Sequence, residues 1–423
     1  MNDFNKQEKV AFDQILENFN DALIISAAVN KFNIGDVEAE RSQETIWRPQ
    51  PYIIPSYRGV DQTARFQAGI ETVQRSVPSS LSTVIGAGFE LSPFELRDMT
   101  QETNLDKASV TRIASDINVE VLDLASNLGS IVVARPNAAS GYRDVAEAET
   151  AMTEVGIHLQ DRHFFAAPRD HVGMAENLAE RQTLNNFPTR AYQDSYVGRV
   201  ANFNYMQLDY ANILTAAAPA APVTIDGADQ RHEPRAIDKL QQGQINVDNR
   251  FQTIVVNNSA GLKAGDAFTI DDVYAVHHIT KRSTGQLKTF RVVEVPVGGT
   301  TIKITPAIVA VDRTGGPLYA EEQYQNVDST PADGAAINFI NIADSHVNPF
   351  FAKDALELLP GKLCVRKDSG LAVMSGTTDQ GVTVVMTRFG IFGDLSTRYR
   401  CDAYIGTVAN NPEMMGIELF NQQ

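Results

Sequence analysis

The sequence predicts an α+β fold, and three observations support this prediction. Apolar residues recur at steps of three or four across Asn104–Val133, which is the spacing of one face of a long helix. Short strand-forming runs divided by glycine and proline fill residues 36–98 and 223–342. Mixed helix and strand patterns lie on both sides of the second region, so we expect an all-β domain inserted in an α+β host.

Length, charge and cysteine content limit the classes of function. The chain has 423 residues, enough for several domains, and its formal net charge of −16 disfavours non-specific binding to nucleic acid or anionic lipid. Two cysteines, Cys364 and Cys401, are too few for a disulfide framework, and we interpret both as core thiols in a reducing cytoplasm. No apolar run approaches the ~20 residues of a membrane span, and acidic residues precede the apolar stretch 22–29. We therefore expect a soluble intracellular protein.

Residues 1–35 are predicted to form an N-terminal helical arm. Asp13, Glu17 and Asp21 are spaced four apart and form an acidic stripe on one helix face. Like charges at this spacing cost ~0.2–0.5 kcal/mol per pair in an isolated helix. The stripe is therefore either a solvated face or a docking surface for a basic partner.

Residues 36–98 are predicted to form a long projecting β-hairpin. Proline and glycine divide its strands, and its few apolar positions cannot close a core of their own. We expect this hairpin to pack on a neighbouring surface, with Trp47, the only tryptophan, as an anchoring contact.

Residues 99–135 contain the long helix, which Thr103 or Asn104 can cap and which Arg135-Pro136 ends. At a rise of ~1.5 Å per residue it would be roughly 40 Å long. The glycine at position 129 weakens it slightly.

Residues 136–222 mix helices and a strand. We predict a helix at Tyr142–Gly156, a buried strand at Arg162–Ala166 and a short helix at Pro168–Arg181. The Ala/Pro stretch at 216–222 is a stiff linker and marks a domain boundary.

Residues 223–342 are predicted to form a small β-barrel or sandwich. Its strand patterns are Phe251–Val256, Ala267–Ile270, Thr289–Val295 and Thr301–Thr305, and Gly298-Gly299 is a hairpin turn between the last two. Residues 343–423 return to the mixed pattern, with strands at Gly381–Arg388 and Tyr399–Val408.

No pattern of catalytic or ligand-binding residues is present in the sequence. Gly86-Ala-Gly88 lacks the third glycine and the βαβ context of a dinucleotide site. His158, His163 and His171 are spaced too irregularly for one helical ligand face, and the adjacent His277 and His278 would point to opposite sides of a strand. We therefore predict no enzyme, no metal site and no cofactor.

Four local strings carry a resemblance to a known family: Thr45-Ile-Trp47, Asn246-Val-Asp-Asn-Arg-Phe251, Phe350-Phe-Ala-Lys-Asp-Ala355 and Met415-Gly-Ile-Glu-Leu419. With the order of the segments, they make nearly the whole chain resemble the major capsid (coat) protein of short-tailed double-stranded DNA bacteriophages. The resemblance implies the tailed-phage and herpesvirus (Hong Kong 97-like) capsid fold. In that fold 1–35 is an N-terminal arm, 36–98 an extended loop, 99–135 the spine helix of the peripheral domain, 136–222 and 343–423 the peripheral and axial domains, and 223–342 a telokin-like insertion domain.

The resemblance also implies a function and partners. Copies would self-assemble as pentamers and hexamers into an icosahedral procapsid enclosing double-stranded DNA, in the host bacterial cytoplasm. The expected partners are a scaffolding protein, a portal protein at one vertex and packaged DNA, which the shell would not bind specifically. No membrane partner is expected. The alternatives are a phage tail protein or other structural adhesin with a β recognition domain, and a hydrolase with an unrecognised site.

Individual residues receive roles only through this resemblance. Asp13, with Glu17 one turn on, would contact the scaffold, and Arg235, Asp238 and Lys239 lie where a loop reaches between capsomers. Some members of the fold join a lysine of the extended loop to an asparagine of a neighbour. No lysine lies between Phe32 and Asp106 here, so we expect no such cross-link.

Overall fold

The structure is a computed structural model, and it describes residues 9, 12–13, 16–19, 22–32, 45–50, 59–61, 63, 73–94, 99–179, 197–240, 243–311, 319–365, 370–391 and 393–423. Its helices are α1 (Ile24–Ala28), α2 (Met99–Leu128), α3 (Tyr142–Val155), α4 (Pro168–Ala179) and α5 (Tyr319–Tyr324). Helical turns of the 3₁₀ type lie at Lys353–Ala355 and Pro412–Met414.

The strands, in chain order, are β1 (Asn30–Lys31), β2 (Ile46–Pro49), β3 (Ser76–Ser79), β4 (Thr83–Leu91), β5 (Ile131–Ala134), β6 (Arg162–Ala166), β7 (Arg199–Val200), β8 (Phe203–Gln207), β9 (Ile213–Leu214), β10 (Ile237–Leu240), β11 (Gly243–Asn246), β12 (Gln252–Val255), β13 (Ala267–Val276), β14 (Ser283–Glu294), β15 (Thr301–Thr305), β16 (Ile337–Phe339), β17 (Ser345–His346), β18 (Asn348–Ala352), β19 (Leu356–Gly361), β20 (Ala372–Thr377), β21 (Thr383–Gly390), β22 (Thr397–Ala409) and β23 (Met415–Leu419).

The chain divides into two compact units. The first consists of Met1–Ile46, Ser79–Asp123 and Leu356–Val408, and the second of Trp47–Pro78, Leu124–Ala355 and Ala409–Gln423.

A six-stranded sheet organises the first unit. Its order is β1-β19-β22-β21-β20, with β4 also paired with β22. Along β4, half-buried and exposed positions alternate, as expected when one face of an antiparallel sheet meets the core. Phe12 and Phe19 of the N-terminal helical residues are buried, and Phe12 and Leu16 fill the space where a Cβ on Gly376 would lie.

The long helix is confirmed, with different bounds. Val110, Ile113, Ile117 and Val121, which the periodicity places on one face, are all buried. The helix begins earlier than Asn104 and ends at Leu128, so the predicted continuation to Val133 was wrong.

Tertiary pairing explains why the helix ends where it does. The Gly129 amide donates to the Ala125 carbonyl, and the backbone of Gly416 approaches so closely that a Cβ on Gly129 would meet it at 3.2 Å. Residues 131–134, rich in β-branched side chains, then pair in parallel with β23. A partner strand from the far end of the chain therefore overrides the local helical period.

The second unit contains the host sheet, in the order β5-β23-β18-β6-β8-β7. Helices α3 and α4 supply Val145, Ala148, Met152, Met174 and Ala175 to its core, against aromatic residues of the strands. At the end of α3, Gly156 has a φ of 92°, the left-handed conformation that favours glycine. Both helices and the buried strand of this region are confirmed, although the part of the predicted second helix at 180–181 lies outside the described residues.

The inserted β domain is a closed barrel. Its sheet has the order β12-β15-β14-β13-β16, and Val223–Ile225 bridges both edges, because Thr224 pairs with Ala336 and Ile225 with Val256. The side chains inside include Ile254, Phe268, Phe290 and Ile304, all fully buried. Strands β9 and β17, on either side of this region in the sequence, pair antiparallel with each other.

Some predictions changed in detail. The strands β13 and β14 extend well beyond the predicted Ala267–Ile270 and Thr289–Val295. Cys401 is buried as predicted, but Cys364 is exposed, so its interpretation as a core thiol was wrong.

Most of 51–72 and the acidic residue Asp21 lie outside the described residues. Within the described part of the chain, no helix is long and apolar enough to cross a membrane.

Candidate functional site

The β10–β11 hairpin, which contains the sequence-predicted Asp238 and Lys239, exposes both of its strands. Asp238 pairs with Ile245 and Lys239 with Gln244 in an antiparallel register. Ile237 is 45% exposed and Ile245 is 55% exposed. An isolated two-stranded hairpin is at best marginally stable in water. Its exposed apolar side chains therefore favour a role in contacting another surface.

Asn249 fastens the base of this hairpin to the barrel. Its buried side-chain oxygen accepts from the Arg235 amide at 3.0 Å, and its NH₂ group donates to the Arg235 and Val247 carbonyls at 2.8 and 3.0 Å. Next to it, Arg250 pairs with Asp248 at 2.6 Å and donates to the Ala409 carbonyl. These contacts give physical roles to Asp248, Asn249 and Arg250 of the 246–251 string, for which the sequence alone indicates none.

The charges around the hairpin are exposed, and Asp238 is only loosely paired. Arg235 lies 2.7 Å from Glu233 and 3.9 Å from Asp238, with more than half of the Arg235 and Asp238 side chains exposed. The hydrogen bond and charge of Glu233 raise the pKa of Arg235. Ion pairs of this kind contribute ~0.2–1 kcal/mol each, so they remain available to another partner.

The structure places Asp13 and Glu17 on the exposed side of the N-terminal helical residues. Phe12 and Phe19, on the other side, are buried. Trp47, the predicted loop anchor, is half-buried in β2, which pairs with β3. The predicted site residues therefore lie on three separate segments of the chain.

Sequence reasoning missed a buried charge cluster in the second unit. Glu413 is 4% exposed, and the Lys288 ammonium of β14 lies 2.7 Å from it. The Asn326 NH₂ group donates to the same carboxylate oxygen at 3.0 Å, and His278 lies 3.9 Å from the other. The cluster joins the barrel to the C-terminal segment.

The protonation states follow from burial and charge. Burial alone would raise the pKa of Glu413, but Lys288, His278 and Arg75 together lower it to about 2. Burial lowers the pKa of His278 to about 4 and that of Lys281 to about 8. At neutral pH, Glu413 is therefore an ionised carboxylate, 2.7 Å from the Lys288 side-chain nitrogen.

A second buried carboxyl group, Glu418, has the opposite environment. It is fully buried in β23, and neither of its side-chain oxygens has a hydrogen-bond partner among the described residues. Burial, and then the negative charge of Asp144, raise its pKa well above the usual range, and Arg135 only partly offsets them. Asp170 lies on the facing helix α4, and burial raises its pKa as well.

One local signal could have pointed to the first cluster. Lys288 is in phase with Phe290 and Val292, so an alternating strand places a lysine on the inward side. No local signal marks Glu413, because its partners come from distant positions. In the described ranges, no group of three or more His, Cys, Asp or Glu side chains is arranged to hold a metal ion.

Comparison with known proteins gives one match to a family and several to solved structures. The sequence matches the family described as P22 coat protein - gene protein 5 over residues 1–421. The CUS-3 coat protein I-domain is 43% identical over 28% of this chain and 96% of that chain, with a TM-score of 0.23. A structure from Mycobacterium phage Che8 is 10% identical over 94% of this chain and 90% of that chain, with a TM-score of 0.41. The capsid structure of Cyanophage P-SCSP1u is 9% identical over 93% of this chain and 85% of that chain, with a TM-score of 0.40.

Proposed function

Because the chain belongs to the P22 coat protein family, it is a phage major capsid protein that builds an icosahedral shell, and we propose which of its surfaces direct that assembly. The single observation that carries the function is the family match over residues 1–421, nearly the whole chain. The subunit acts by contact with other copies and catalyses no reaction. Assembly takes place in the host cytoplasm, guided by a scaffolding protein and started at a portal vertex.

The β10–β11 hairpin is the proposed contact between neighbouring groups of subunits. Three observations support it: both strands are exposed, Asn249 fixes the base, and the 3.9 Å distance from Arg235 to the exposed Asp238 leaves the Asp238 carboxylate able to pair elsewhere. Each contact is weak, but a closed shell repeats it at every subunit.

Charge reversal by Asp238→Lys is expected to impair assembly and leave the subunit folded. Asp238 is 53% exposed, so its contribution to subunit stability stays below ~1 kcal/mol. Electron microscopy of the wild-type protein should show closed shells, and the variant should give several-fold fewer. The thermal unfolding curves of the unassembled wild-type and Asp238→Lys subunits should coincide.

The matched control is Glu294→Lys in the same barrel. Glu294 is 65% exposed, and its carboxylate is 4.0 Å from the Lys303 ammonium, a pair of the same kind outside the hairpin. Normal shells from Asp238→Lys, or equal losses in both variants, would contradict a specific role for the hairpin.

The N-terminal helical residues are the proposed scaffold contact. Asp13 and Glu17 are exposed one turn apart, while the opposite side packs on the subunit through Phe12 and Phe19. A scaffold must leave before DNA enters, and exposed ion pairs suit a reversible contact because each is weak and screened by salt. A basic scaffold helix would also relieve the repulsion within the stripe.

Reversing this charge by Asp13→Lys is expected to lower scaffold incorporation and to yield aberrant shells. The measurement is scaffold binding to unassembled coat protein across a series of salt concentrations. The variant should bind more weakly and lose most of the salt dependence, whereas Asp13→Glu should behave as the wild type. Unchanged affinity and salt dependence in the Lys variant would refute an electrostatic contact.

The strongly acidic chain also fits a shell that holds DNA without binding it. At a net charge of −16, the protein repels phosphate, and DNA can move during packaging.

A further inference from the structure

The two legs of the extended loop are joined to each other and to the C-terminal segment at one place. The buried Gln50 side chain donates to the Asn410 carbonyl at 2.5 Å, and the Gln50 carbonyl accepts from the Gln74 side chain at 2.6 Å. The Gln50 amide donates to the Arg75 carbonyl at 2.8 Å. Both legs are therefore held in register just where residues 51–72 begin and end.

Tyr324, at the end of α5 in the barrel domain, holds the returning leg. Its hydroxyl donates to the Val73 carbonyl at 2.8 Å and accepts from the Arg75 amide at 3.4 Å. The Arg75 guanidinium stacks 3.8 Å from the centroid of the Tyr324 ring. Tyr324 is only 5% exposed, so water competes poorly for these groups.

Further contacts connect the same leg to the rest of the second unit. Ser76 forms a parallel bridge with Asp248, the residue that pairs with Arg250. The charge of Glu413 acts on the Arg75 guanidinium, although burial lowers the pKa of Arg75. The leg is thus fixed by an aromatic hydroxyl, a strand bridge and a buried charge.

We infer that Tyr324 is a positioning residue for the extended loop, because it fixes the course of residues 73–76 at the base of the loop. Strands β2 and β3 have four residues each, too few to hold a long loop by themselves. An apolar side chain would pack equally well, but it could not donate to a carbonyl and accept from an amide of the same leg, as the hydroxyl does. The inference rests on the proposed function, because the direction of the loop matters only if the loop meets a neighbouring subunit.

The test removes the hydroxyl and keeps the ring, by Tyr324→Phe. In the unassembled full-length subunit, amide hydrogen exchange of a peptide covering 73–76 should be roughly tenfold faster, the factor expected for loss of one buried hydrogen bond. Under assembly conditions, the same variant should form fewer closed shells and more irregular particles. Tyr274→Phe is the control, since the Tyr274 hydroxyl has no hydrogen bond among the described residues, and it should match the wild type in both measurements.

A second variant, Arg75→Lys, keeps the positive charge near Glu413 but removes the planar stack on the ring. It should also speed exchange at 73–76. The inference would be overturned if Tyr324→Phe exchanged at 73–76 as slowly as the wild type and formed closed shells equally well. It would also be overturned if the variant exchanged faster at 73–76 but still formed shells normally. If the wild-type protein itself forms no shells, the proposed function fails instead, and the exchange measurement still reports the local clamp.

Discussion

Glu413→Gln is expected to lower the free energy of unfolding by about 3 kcal/mol at pH 7, since breaking one partner of a buried ion pair leaves the other charge uncompensated. Glutamine keeps the size of the side chain and can still accept from Asn326, so the change isolates the charge. Lys288 would then remain buried, only 3% exposed, beside the positive groups Arg75 and Lys281. Urea unfolding of the unassembled subunit measures the difference.

The same pair predicts a pH dependence with a definite sign. The pKa of Glu413 is about 2 in the folded subunit, against an ordinary value of 4.5. A carboxylate with a depressed pKa contributes its stability above the ordinary pKa and loses it as pH falls towards the folded value. The wild type should therefore lose about 3 kcal/mol relative to Glu413→Gln between pH 5 and pH 2.

An exposed glutamate supplies the control. Glu154 on α3 is exposed, and Glu154→Gln should follow the wild-type stability at every pH. Parallel pH profiles for the wild type and Glu413→Gln, or equal stability at pH 7, would show that the carboxylate carries no net stabilising charge.

Local periodicity was sufficient to predict the elements whose burial repeats along the chain. The spacing of the buried residues Val110, Ile113 and Ile117 predicts the long helix. Strand β6 has five consecutive buried residues, and its sequence predicts a buried strand. Gly298-Gly299 marks its hairpin because both residues have positive φ, 149° and 79°. Each of these signals depends on neighbours close in sequence.

Contacts between distant positions could not be predicted in the same way. The helix stops at Leu128 because β23, almost three hundred residues later, pairs with the segment that follows it. Lys288 and Glu413 are 125 positions apart, and Tyr324 and Val73 are 251 apart. Local sequence periodicity cannot predict such pairs, because the two residues come together only when the whole chain has folded. The assembly residues Asp13 and Asp238 came from family resemblance, because an exposed charge carries no local sign of its use.

Glu413 and Glu418 illustrate how strongly the surroundings decide charge. They lie on one C-terminal segment, five positions apart, and both are buried. Lys288 meets the first directly at 2.7 Å, whereas the second has no hydrogen-bond partner within the described chain and lies near the acidic groups Asp144 and Asp170. The first is therefore held ionised and the second neutral.

Glu418→Gln is expected to make the subunit progressively more stable than the wild type as pH rises above about 5. The folded pKa of Glu418 is raised well above 4.5, so on raising the pH the unfolded chain ionises first. Each pH unit between the two pKa values then lowers the stability of the wild type by about 1.4 kcal/mol, and glutamine removes this term. The neighbouring Asp144, Asp170 and Arg135 are present in both proteins, so the difference between the two profiles isolates Glu418.

The measurement is urea unfolding of both subunits from pH 4.5 to pH 8. Glutamine leaves a buried amide in the place of a neutral carboxyl group, which shifts the whole curve by a constant amount but not its slope. Glu418→Met, which removes the polar atoms, should show the same slope with a different offset. Profiles that stay parallel to the wild type would mean that the pKa of Glu418 is not raised in the folded subunit.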